Sequence, residues 1–155
     1  MKKWICLLLA LSLVLSLSAC GKKQDTVSVD LQAACDKAIE EVDDSLVFFP
    51  ASSEEINSVY PGLSDIECKQ LVAYFPPVMG ASYEVVMVEV ANSKDVDAVK
   101  AIFQTRIDSI VNDTTYPDNA AGWKAGADIY VNGSYVVLSV LPEGVEKPAA
   151  FKAEF

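Results

Sequence analysis

The chain has 155 residues, 52% of them hydrophobic and 22% charged, with 12 Lys+Arg against 22 Asp+Glu and no histidine. That composition fits one globular domain rather than two, and it is too apolar for a disordered chain. A net charge of −10 repels phosphate backbones and sets nucleic acid aside as a partner. The absence of histidine excludes Ser-His-Asp and Cys-His nucleophile systems and the His-based zinc motifs.

Met1-Lys2-Lys3 is a short basic start, and Trp4 to Leu17 is an apolar run of fourteen residues. As a helix that run spans only about 21 Å, too short for a comfortable membrane crossing. Small residues follow, in Leu17-Ser18-Ala19-Cys20. A basic start, a short apolar stretch and a small-residue cut describe a signal peptide over residues 1–19. Leu17-Ser18-Ala19-Cys20 resembles the lipobox of bacterial lipoproteins. The resemblance implies that Cys20 receives a diacylglyceryl group, becomes the first mature residue and anchors the protein at the outer face of the cytoplasmic membrane. Two or more acyl chains hold a protein stably. Residues 20–29 then read as a lipidated N-terminus and tether, with Lys22 and Lys23 placed to meet anionic headgroups.

A single domain is expected over residues 30–145. Its first helix runs from Asp30 to about Val42, with Leu31, Cys35, Ala38 and Val42 on one side. Ser52-Ser53-Glu54-Glu55 is a capping-box pattern for a short helix that Pro61-Gly62 stops, and Ser64 to Glu67 repeats the pattern. Gln70 to Phe75 reads as a strand ended by Pro76-Pro77. Tyr83 to Ala91, apolar on both faces, reads as a central strand. Ser93 is expected to cap a long helix to about Val111, with Val96, Val99, Ile102, Phe103, Ile107 and Ile110 as its stripe. Asn112 to Gly126 reads as a long connection. Ala127 to Leu141 reads as a hairpin turning at Asn132-Gly133, and residues 146–155 as a C-terminal tail. The expected fold is α+β: a four-stranded antiparallel sheet of two hairpins with helices on one face, in the order α-α-β-β-α-β-β.

Tyr60-Pro61-Gly62-Leu63-Ser64-Asp65, Tyr83-Glu84-Val85-Val86, the long helix and Val131 to Leu138 carry a likeness. With the lipobox and the leading helix, they resemble a family of small lipoproteins of Gram-positive bacteria known as domain of unknown function 4358. The likeness extends over roughly Leu31 to Leu141. It implies fold and location and gives no residue a catalytic role.

Cys35 and Cys68 are the cysteines left after leader and anchor, and an exported domain permits them to pair. Cys35 lies on the apolar side of its helix, where a free cysteine serves as a small hydrophobe. The carboxylates form no metal loop or catalytic pair: Glu84 and Glu89 have opposite parity on one strand. No catalytic residue, metal ligand or cofactor is assigned. Phe75, Val78, Met79, Tyr116 and Trp123 fall in or beside loops, where aromatics and Met mark interaction surfaces or else cover the end of a core.

Arg106 breaks the pattern, because at 100° per residue it falls inside the apolar arc of the long helix. Glu84 shares the parity of Val86, Val88 and Val90. Glu84 lies about 23 Å of strand from Ala91, and Arg106 about 20 Å of helix from Ser93. If the helix folds back along the strand, the two charges meet. A Glu84–Arg106 ion pair is therefore expected at the sheet–helix boundary, with capture of an acidic ligand by Arg106 as the alternative. The functional reading is a lipid-anchored, non-enzymatic module that binds a protein or small ligand. The alternatives are an envelope enzyme using carboxylates alone and an accessory subunit of a membrane complex.

Overall fold

The computed structural model describes residues 28–78 and 80–155. The leader, the lipobox, Cys20 and Met79 lie outside the described residues. Helix α1 is Leu31–Glu41, and Asp30 caps it by accepting the Ala33 N–H. A two-residue strand β1, Phe49–Pro50, precedes helix α2, Ser53–Val59. The Ser52–Glu55 capping box that opens α2 is formed in both directions. After a 3-10 turn at Leu63–Asp65 come β2, Cys68–Phe75, and β3, Glu84–Val90. A second 3-10 turn, capped by Asn92 rather than Ser93, leads into α3, Val96–Val111. Helix α4, Pro117–Gly126, runs directly into β4, Ala127–Asn132, and β5 follows at Tyr135–Val140.

All strands are antiparallel in the order β1-β2-β3-β5-β4. The sheet has five strands, not the expected four. Strand β1 has no alternating pattern to reveal it, and Pro50 is tolerable there because β1 lies at an edge. Strand β3 is central and buried along its whole length, as its two apolar faces require.

Helices cover both faces of the sheet, not one. On the first face Val86, Val88 and Val90 pack with Tyr60 and with Val99 and Phe103 of α3. On the second face Val85, Met87 and Val137 pack with Leu31, Cys35 and Ala38 of α1. The C-terminal segment completes this second layer: residues Ala149–Lys152 form a 3-10 turn whose Phe151 is fully buried. A tail beyond the domain is therefore not what these residues form. A strand apolar on both sides needs two covers, and α1 together with the segment around Phe151 supplies one of them.

Cys35 and Cys68 are both free, since Cys35 belongs to the second-face core while Cys68 packs against the first. The sheet stands between the thiols, so no disulfide forms. In the hairpin the closing pair is Asn132 with Tyr135, which makes Gly133-Ser134 the two turn residues. Only Gly133 has positive φ, at 58°. This is the turn with glycine first rather than the Asn-Gly turn that needs two such residues.

Candidate functional site

Glu84 opens β3 at the end distant from the β3–α3 turn, and α3 folds back along the strand to bring Arg106 to the same level. Arg106 Nη2 donates to Glu84 Oε2 at 3.1 Å, with the two side chains 23% and 4% exposed. The Tyr60 hydroxyl donates to the other oxygen, Oε1. The guanidinium lies 6.0 Å from the Tyr60 ring centre and 5.1 Å from that of Trp123, within cation–π range of both. Its Nε is buried without a partner among the described residues.

Burial pushes the Glu84 carboxyl above the ordinary carboxylate range, against the opposing pull of Arg106 and Tyr60. Burial and the neighbouring Glu84 charge also push the Tyr60 phenol well up, so its hydroxyl remains a donor throughout the neutral range.

This pair forms the floor of a cleft of about 500 Å³, a size suited to a small ligand. Its walls come from the β2–β3 connection, from α2, from the end of α3 and from the start of α4. Phe75, Val78, Tyr116 and Trp123 all line it. The structure thus brings together the ion pair and four of the five residues expected at interaction loops. Val78 and Tyr116 are 61% and 53% exposed and form the rim. Trp123 is different: it is helical and almost wholly buried, so it belongs to the floor.

Helix α4 is the element that sequence periodicity missed. Only Ala120, Trp123 and Gly126 are buried along it, a thin stripe interrupted by glycines of low helix propensity. Those glycines are needed for contact. A Cβ on Gly122 would come within 2.3 Å of the Ser82 Oγ, and one on Gly126 within 1.9 Å of the Leu141 carbonyl oxygen. The Asn119 side-chain amide lies 3.2 and 3.3 Å from the Gly80 and Ala81 carbonyl oxygens. These approaches fix the cleft wall against the helix. Pro117 at the first turn was the available signal for α4.

Glu55 and Asp113 also line the cleft and were not singled out as site residues. Glu55 is visible in the sequence only as a capping residue. Its bonds with Ser52 both fall on Oε2, and they hold its carboxyl below the ordinary range. Asp113 Oδ1 accepts the Thr115 N–H at 2.7 Å.

At the other end of β3 the buried Glu89 faces the second side of the sheet. It accepts from Lys69 at 2.7 Å and from Gln70 at 2.8 Å. Burial pushes this carboxyl up, but those hydrogen bonds outweigh it and hold the group below the ordinary range. Gln70 also accepts the Leu31 N–H and donates to the Val29 carbonyl, while the Tyr135 hydroxyl accepts the Val29 N–H. The chain therefore enters the domain at the pole opposite the cleft, about 17 Å away along β3.

No helix among the described residues is long and apolar enough to cross a membrane. No curated protein and no solved structure gives a significant match. One family does match, over residues 41–141, a stretch that holds every described residue of the cleft. The chain belongs to that family, described as Domain of unknown function (DUF4358).

Proposed function

We propose that the protein is a lipid-anchored, extracytoplasmic binding module, held to the membrane at Cys20, that presents the Glu84–Arg106 cleft to a ligand. The observation that carries this reading is the placement of the cleft at the pole opposite the chain's entry. Seven residues lie between Cys20 and Ser28, so the eight steps from one to the other span at most about 28 Å of extended chain. A domain hung from that pole turns the cleft away from the bilayer, where a soluble ligand can reach it.

Binding rather than catalysis is supported by the state of Glu84. Each of its oxygens already accepts from a side-chain donor and the carboxyl is only 4% exposed, so it is held as a buried partner of Arg106 and Tyr60 rather than presented to a substrate proton. The test has two parts. Cys20→Ala should leave unprocessed precursor that takes up no fatty-acid label; normal processing without label would mean an ordinary secretory cut. A photo-crosslinking residue at Val78 should capture a ligand in intact cells, while one at Lys37 on α1 should not. Capture from Lys37 alone would move the binding surface to the other face.

A further inference from the structure

We propose that the cleft takes a small cationic ligand, an ammonium group on a compact apolar body. This rests on the cleft being a binding site. Three carboxylates line it, Glu55, Glu84 and Asp113, against one cation, Arg106. Arg106 is already satisfied as a charge by Glu84 and by two aromatic rings. The unmatched charges are therefore Glu55 and Asp113, and no lysine is among the described lining residues.

Backbone dipoles add to this. Helix α3 brings its C-terminal end to the cleft through Ile110 and Asp113, and its last turn has no basic residue. That end carries partial negative charge and favours a cation. Helix α4 starts at the same cleft, and the opposite charge of its N-terminus is offset by Asp118 in its first turn. The net charge of −10 draws cations towards the whole domain. The apolar part of the ligand has Phe75, Pro77 and Val78 to rest on, and the exposed Tyr116 ring offers a π-face to the ammonium.

Three probes of one shape separate charge from shape: 2-phenylethylammonium, 2-phenylethanol and phenylacetate. Each is titrated into the full chain in a neutral maltoside detergent, with binding read from NMR shifts of the Trp123 indole and the Tyr116 ring. The cation should bind at least tenfold more tightly than the alcohol, with phenylacetate weakest. Glu55→Gln with Asp113→Asn should bring the cation to within a few-fold of the alcohol. Both changes keep the local hydrogen bonds, so the fold is retained. Equal or tighter binding of the alcohol or of phenylacetate overturns the cationic assignment and leaves the cleft as a binding site. A cation preference untouched by the double substitution also overturns it. If none of the three probes shifts either ring, both the ligand class and the cleft reading fall.

Discussion

Removing Arg106 leaves Glu84 at 4% exposure with only Tyr60 as a partner. The buried carboxylate then has one escape, which is to take up a proton. At pH 7 that escape costs at most about 3.5 kcal/mol, being about 2.5 pH units above the ordinary value of 4.5 at about 1.4 kcal/mol each. The electrostatic part of the Arg106→Met penalty cannot exceed this ceiling. The lost contacts of the guanidinium with Tyr60 and Trp123 add about 1 kcal/mol that does not depend on pH.

The sign follows from the direction of the shift. A carboxyl raised in the folded state gives stability that is complete below its unfolded pKa and is lost as pH rises through the folded one. Wild type and variant lose stability together up to the wild-type folded pKa of Glu84, and only the variant continues to lose it above. Urea unfolding followed by far-UV circular dichroism should show the Arg106→Met penalty at its largest at pH 7, shrinking towards about 1 kcal/mol near pH 4.5. In Glu84→Gln/Arg106→Met that pH dependence should disappear. An Arg106→Met penalty that is the same at pH 5 and pH 7 would refute the reasoning, as would strict additivity in the mutant cycle.

Gly126→Ala should cost about 2 kcal/mol or more, because the new Cβ meets a backbone carbonyl at 1.9 Å that no side-chain rotation can move; an unchanged urea midpoint would show that β5 and α4 can separate freely. Gly133→Val should cost about 1–2 kcal/mol from its φ of 58° alone, since nothing lies within 4 Å of the added Cβ. Thermal unfolding measures it, and no loss would mean that the hairpin readily adopts another turn. Cys35, buried and with its thiol pushed up to about 12 by burial and by Asp36, should resist iodoacetamide at pH 8 in the native protein and react once unfolded. Peptide mapping by mass spectrometry should find the partly buried Cys68 alkylated first, and rapid native labelling of Cys35 would contradict its place in the core.

The parts of the fold that were legible in the sequence are those where one physical demand sets the pattern. Strand β3 announced its central place by being apolar on both faces, and the stripe of α3 placed Val99 and Phe103 in the core. Arg106 and Glu84 were legible because a charge inside an apolar arc requires a partner, and strand and helix rise locate the one that is at hand. What escaped was set by tertiary fit. Strand β1 has two residues and no period. Helix α4 carries glycines because Leu141 and Ser82 press against it, and those same glycines erase the helical signal. Phe151 gave no local sign that a C-terminal turn would cover the second face. Within the cleft, Glu55 and Asp113 could not be placed beside Glu84 until the loops that bear them were folded.

The opposite placement of chain entry and cleft also has a mechanical meaning. A domain held through Ser28 and pulled by something seated against Glu84 carries the load along β3, from its Glu89 end to its Glu84 end. The ladder hydrogen bonds that join β3 to β2 and β5 lie across that line. Such a force shears them together instead of opening them one after another from an end. The strand most deeply enclosed in the sheet is also the one along which tension would run.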